Sequence, residues 1–199
     1  MAAFVFEKDI ILEHPAVLLR PFRMHDLADL ESIALDQSLW QHTVTSINNP
    51  QQLLEWGKSV SENRLQRQRY TFVIVEKQSG KVVGSTGFLH ISEQDKRLEI
   101  GSTFLGKACQ GSGLNRICKF LLFSYVFETL QFERAELKTD VLNLRSRKAM
   151  LKVGATEEGI LRSHTLMHDG RRRDTIYYSI LKPEWETIKQ TIFADLLAG

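Results

Sequence analysis

Apolar positions along this chain recur first at helical and then at strand spacing, and the order of those changes predicts helices near the start and a strand-rich middle. Val17 to Phe22 reads as a strand, with Pro21 placing it at an edge or an end. His25 to Leu35 reads as a helix, because Leu27, Leu30, Ile33 and Ala34 recur at helical spacing. Asn49 followed by Pro50 is a helix start, a capping side chain and then proline at the first helical position. That helix runs to about Arg67 through Leu53, Leu54, Trp56, Val60 and Leu65.

Tyr70 to Glu76 is dense in β-branched and aromatic residues, and Lys81 to Ile91 follows the turn-forming triplet Gln78-Ser79-Gly80, so the two read as a hairpin. Arg97 to Leu105 adds a third antiparallel strand and completes a meander. Leu114 to Leu130 then reads as a long helix with one apolar face, Leu114, Ile117, Cys118, Leu121, Leu122 and Tyr125, widened by Phe120, Phe123 and Phe127. Arg134 to Asp140 alternates Ala135, Leu137 and Thr139 with charged neighbours, so it is a strand reached by a crossover helix and is expected to be parallel to the one before. Asn143 can cap the next helix, whose packed face is Ser146, Ala149, Met150 and Val153, and Gly154 can end it in the left-handed conformation. Thr165 to His168 and Thr175 to Leu181 form a closing hairpin around Asp169-Gly170, and Pro183 to Leu197 is a helical tail packed through Trp185, Ile188, Ile192 and Phe193.

Composition sets the outer limits. A chain of 199 residues that is 43% hydrophobic suits one domain, residues 1–199, with a substantial core. Twenty-six basic against 24 acidic residues give a net charge of +2, too balanced for a nucleic-acid or membrane field. Cys109 and Cys118 fit neither a zinc pair nor a redox motif, and His14, His25, His42, His90, His164 and His168 show no ligand spacing, so no metal is expected. The start lacks a basic leader and no apolar run reaches about 18 residues, which points to a soluble cytoplasmic protein.

The strongest chemical signal is Ala108-Cys109-Gln110-Gly111-Ser112-Gly113-Leu114-Asn115, a glycine-rich turn between a strand and the apolar helix. A helix start carries unpaired N–H donors and the positive end of the helix dipole, so it takes phosphate with few basic side chains. It is not a P-loop, because Leu114 and Asn115 follow Gly113, and Arg116 stands where a dinucleotide fingerprint needs a third small residue.

With its surroundings the turn resembles the GCN5-related N-acetyltransferase superfamily. The residues that carry the resemblance are Arg97 to Leu105, the Gln110-Gly111-x-Gly113 turn, Leu137-Lys138-Thr139-Asp140, Asn143-Leu144-Arg145-Ser146, Gly154-Ala155 and Glu158-Gly159. It extends from Leu18-Leu19-Arg20-Pro21 to Tyr178-Ser179-Ile180-Leu181, and is nearest the branch that acetylates ribosomal-protein N-termini. Ala108 departs from the Arg or Gln usual at that point of the loop.

The resemblance implies an α/β (α+β) fold with a mixed, mostly antiparallel central sheet, a splayed parallel pair and helices on both faces. It also implies transfer of acetyl from acetyl-CoA to a primary amine, a protein N-terminus or a small amine, in a ternary complex without metal, by a monomer or homodimer. A catalytically inactive CoA-binding module of the same fold is the alternative. Pantetheine would lie between the strand ending at Leu105 and the one at Leu137 to Asp140, paired with main-chain groups of Ser102, Thr103, Phe104 and Leu105. Gln110, Gly111, Ser112, Gly113, Leu114 and Asn115 would hold the pyrophosphate, Asn143 the pantetheine or the acceptor, and Ser146 would be the general acid.

Glu99 alternates out of phase with Leu98 and Ile100 and is the candidate base or ammonium binder, with a solvated strand residue as the other reading and Asp140 as a weaker rival. Arg116 or Lys119 either adds charge toward a 3′-phosphate or is solvated on an exposed helix face. Cys109 is expected to be structural. Arg171-Arg172-Arg173 is either a solvated turn or a contact for an acidic acceptor.

Overall fold

The computed structural model describes residues 4–197. Strands β1 (Leu12–His14), β2 (Val17–Pro21), β3 (Arg69–Glu76), β4 (Lys81–Ser92), β5 (Arg97–Leu105), β6 (Arg134–Asp140), β7 (Thr156–Leu166) and β8 (Arg172–Leu181) form one sheet in the order β1-β2-β3-β4-β5-β6-β8-β7. Every neighbouring pair is antiparallel except β5 with β6. The helices are α1 (Leu27–Ala34), α2 (Pro50–Leu65), α3 (Leu114–Ser124), α4 (Leu144–Lys152) and α5 (Lys182–Thr191).

Strand alternation divides the core into two sides. Tyr70, Phe72 and Ile74 of β3 join Phe88, Leu98, Ile100, Leu137, Ile176 and Tyr178 on the back of the sheet, where Cys118, Leu122 and Phe123 of α3 and Trp185 of α5 pack against them. Val73 and Val75 point to the front, where Leu30 of α1 and Val60 of α2 cover them. The back face is the broader, which explains the width of the apolar stripe on α3: Phe123 and Phe127 both reach Trp185.

Several boundaries follow the sequence and some do not. β5 and β6 span the expected residues, and the Asn49 carboxamide accepts from Gln52 N at 2.9 Å to start α2. The long apolar helix is regular only to Ser124, after which Tyr125–Thr129 widen into a π turn. The closing hairpin is longer than expected. β7 begins at Thr156, and ten of its eleven residues are exposed, so it lacks the alternation that marks a half-buried strand. β1, three residues long, also carries no readable pattern. After α5 the chain tightens at Ala194–Leu196 instead of continuing as helix.

Candidate active site

The site begins with a defect in the sheet. Gly87 faces Gly101 and Ser85 faces Phe104, so Ser102 and Thr103 stand against Thr86 alone, and Ser102 takes the left-handed φ of 49°. This bulge bends β5 away from β6. The parallel ladder joins Arg97–Glu99 to Arg134–Glu136 and then ends, so from Gly101 to Leu105 the main-chain groups on that side have no strand partner. Side chains of the bent segment are engaged elsewhere. Thr103 Oγ1 and Thr86 Oγ1 are hydrogen-bonded at 2.7 Å, Phe104 packs edge-on against Trp40 and Trp56, and Leu105 enters the back core.

At the open end of the gap lies the glycine turn. Gly111 and Gly113 both have positive φ, 80° and 90°, a conformation glycine adopts without strain, and Gly113 directly precedes α3. The N–H groups of Gly111, Ser112 and Gly113 donate to no acceptor among the described residues. A row of unbonded amides at a helix start suits a phosphate group. Ser112 Oγ bonds back to Cys109 O at 2.7 Å and accepts weakly from Leu114 N at 3.4 Å. A hollow of about 520 Å³ beside the turn is lined by Pro15, Ala16, Glu76, Lys77, Gln78, Ser112 and Leu114. Asn115 Oδ1, at the second position of the helix, is buried without a hydrogen-bond partner among the described residues.

Across the gap, Asn143 caps α4, its Oδ1 accepting from Ser146 N at 3.0 Å. That contact leaves the Asn143 Nδ2 protons and the Ser146 hydroxyl unbonded among the described residues, both on half-buried residues. Replacing Asn143 by Ala is expected to cost about 1 kcal/mol of stability through the lost cap, measurable by urea denaturation.

Glu99 lies at the closed end of the gap on the front face, 4% exposed. Its carboxylate folds over Gly101, where a Cβ would come within 2.7 Å of Oε1, and pairs with Lys138 Nζ at 2.8 Å. His90 Nε2 stands 3.7 Å away. Glu99 is therefore a buried, paired carboxylate and not a solvated strand residue. Asp140 is also buried, but Arg171 and the Leu142 N–H hold it. Burial works against its ionisation, yet these hydrogen bonds outweigh burial and keep the carboxyl below its ordinary range.

An acetyltransferase (GNAT) domain model matches residues 16–156. The chain belongs to the GNAT acetyltransferase family. It is 29% identical over 142 residues to an uncharacterized N-acetyltransferase, p20, of Bacillus licheniformis, spanning 71% of this chain and 79% of that one. It is 32% identical over 107 residues to a Bacillus subtilis (strain 168) protein called "Putative ribosomal N-acetyltransferase YdaF", spanning 54% of this chain and 57% of that one. The crystal structure of a GCN5-related N-acetyltransferase from Brucella melitensis superposes with a TM-score of 0.88 at 27% identity, over 95% of this chain and 86% of the other. This GNAT protein is an acetyl-CoA-dependent N-acetyltransferase with a mostly antiparallel sheet interrupted by one parallel pair.

Other residues of the GNAT site stand differently from expectation. Arg116 is partly exposed and is bound to the C-terminal segment. It pairs with Asp195, bonds Ile192 O and covers the Phe193 ring at 5.4 Å, pinning the C-terminal segment. Lys119 is 7% exposed and donates to Thr103 Oγ1 at 3.0 Å, beneath the bulge of β5. Burial pushes the Cys109 thiol up, with Glu76 adding to the effect, so it stays protonated as a structural cysteine would. Arg145, which the sequence did not single out, donates to Gln110 Oε1 at 2.5 Å while Gln110 Nε2 donates to Leu105 O at 2.9 Å. These bonds brace the mouth of the gap and bring a cation to the loop, which lacks one at Ala108. Among the described residues there is no group of three or more potential metal ligands, and no helix is long and apolar enough to cross a membrane.

Proposed function

We propose that this chain, one N-acetyltransferase domain over residues 1–199, transfers acetyl from acetyl-CoA to a primary amine by direct attack in a ternary complex. The observation that carries this reading is the interrupted β5–β6 ladder opening toward unbonded amides at the start of α3. The free N–H groups of Gly111, Ser112 and Gly113 would hold the pyrophosphate, with Leu114 N and Asn115 Nδ2 beside them and Gln110 N already given to Lys107 O, and main-chain groups of Ser102 to Leu105 would pair with pantetheine as a further strand. Holding both reactants in place contributes roughly 7 kcal/mol or more to the rate.

The amine nitrogen attacks the thioester carbonyl, a β5 amide polarises the carbonyl oxygen, and the thiolate leaves with the Ser146 hydroxyl proton, which the proton taken from the amine replaces through water. Glu99 receives the amine's proton, directly or through water, and Lys138 steadies the carboxylate. Asn143 Nδ2 orients the pantetheine arm or the acceptor. The branch resemblance, together with the name of YdaF, supports a peptide N-terminal amine as well as a small amine in the acceptor role.

Initial-rate kinetics test the order of events. Lines that intersect when acetyl-CoA and amine are both varied are expected, and Cys109→Ser is expected to keep turnover within about twofold, since no acetyl-cysteine forms. Parallel lines, or a burst of labelled acetyl-enzyme, would overturn direct transfer.

A further inference from the structure

Two cations on the front face form no salt bridge among the described residues. Arg69 opens β3, and opposite Leu89 of β4 it faces the same side of the sheet as Glu99. Its guanidinium makes no hydrogen bond or salt bridge among the described residues, and its Nε is buried without an acceptor. Arg173 near the start of β8 is 6% exposed, and its one hydrogen bond runs from Nε to the neutral Thr175 Oγ1 at 3.0 Å. Arg69 on β3 and Arg173 on β8 stand on the front face on opposite sides of β5, the strand of Glu99. Burial holds both guanidinium groups below their ordinary range, offset by Glu99 at Arg69 and by Asp140 and then Glu99 at Arg173.

The anions of that face are already engaged. Glu99 pairs with Lys138 and Asp140 with Arg171, so they add no net charge, and Glu136 and Glu158 are offset by Arg134 together with Arg97. Two positive charges are left over: that of Arg173 lies in a low-dielectric place, where an unpaired ion costs far more than at the surface, and that of half-buried Arg69 opens to a cleft with only its Nε shut off from solvent. Arg69 also lines an open cleft of about 480 Å³ with Asn63, Arg67, Gln68, Leu89 and His90, next to Glu99. The Thr71 hydroxyl, on the same face beside Gly87, is buried without a partner among the described residues.

We infer that the acceptor taken by this cleft is a primary amine that also bears carboxylate groups, whose negative charge Arg69 and Arg173 neutralise while Glu99 faces the amine. This assignment rests on the amine-acetylation reading above. A guanidinium presents a planar fork that matches a carboxylate in two parallel hydrogen bonds, which a polyamine or an uncharged amine cannot use. Two sources fit the chemistry: a free amino dicarboxylate, and a peptide N-terminus followed by acidic residues.

The test measures thiol release with glutamate, an acidic hexapeptide, the uncharged amide form of each, and spermidine. A carboxylate-bearing amine is expected to show kcat/KM at least about tenfold above its amide form, with glutamate against the hexapeptide separating the two sources. Arg173→Gln, and separately Arg69→Gln, should erase that preference mainly through KM, leaving the amide forms within about threefold. Equal or better use of spermidine or the amides, or a loss common to all amines, would overturn the inference while leaving amine acetylation intact.

A second measurement needs no turnover. Glutarate, which has no amine to acetylate, should raise the unfolding temperature of the CoA-bound protein and should fail to do so in R173Q. If no amine is acetylated, the proposed function falls, and glutarate still decides whether the surplus arginines form an anion site. R173Q itself should unfold at or above the wild-type temperature, whereas a large drop would show that the guanidinium serves the fold.

Discussion

Replacing Ser146 by Ala is expected to lower kcat by roughly 10²- to 10³-fold, or about 3–4 kcal/mol of barrier, while the KM for acetyl-CoA changes by no more than about threefold. The side chain suits the test because its fold role runs through the backbone: Ser146 N donates to Asn143 Oδ1, a contact that the substitution keeps. Its hydroxyl bonds to nothing among the described residues, so its removal should leave stability within about 0.5 kcal/mol. Ser146→Cys, which retains an ionisable hydrogen donor, should recover part of the loss. Unaltered turnover in S146A would show that the departing thiolate takes its proton from elsewhere, water included.

Lys119→Met is expected to stabilise the protein at pH 7 by about 3 kcal/mol, raising the unfolding temperature by roughly 6–12 °C. Burial lowers the Lys119 amine from 10.5 to about 8, and its one hydrogen-bond acceptor is the neutral Thr103 hydroxyl. Below pH 8 both the folded and the unfolded chain hold the proton, so the folded state bears the whole cost of the buried charge. Between about 8 and 10.5 the unfolded chain binds more protons, and stability rises with pH. Cys118 acts in the opposite sense. Burial pushes its thiol from 9 up to about 12, so above pH 9 the unfolded chain ionises first and stability falls. The wild type should therefore gain stability from pH 8 to 9 and then level off, and K119M should lose that rise. Methionine fills the same straight volume, and Thr103 keeps its bond to Thr86, so no orphaned hydroxyl offsets the gain. A lower unfolding temperature for K119M at pH 7 would show that the ammonium has a stabilising partner which outweighs desolvation.

The sequence carried the sheet's centre well. β3 to β6 bury one face or both, so their composition or alternation is visible, and Asn49-Pro50 marks the start of α2 without tertiary information. β7 was illegible past its last residues because an edge strand exposed on both sides has no period to detect. The phosphate turn could be read because its donors are backbone groups tied to a glycine pattern. Lys119, Arg69 and Arg173 could not, since a charged residue on a helix or strand reads as solvated. Only the bent β5 over Lys119, and the front-face position of the two arginines on either side of β5, bury Lys119 and Arg173 and half-bury Arg69. Arg116 was misplaced for a related reason: the partner that claims it, Asp195, lies 79 residues away in the chain.

The short β5–β6 ladder has a mechanical side as well. The sheet consists of two leaves, β1 to β5 and β6 with β8 and β7, stitched along their common margin by three facing residue pairs. A molecule lodged in the open part of that seam would rivet one leaf to the other, making the stiffness of the whole sheet a measure of how often the seam is filled.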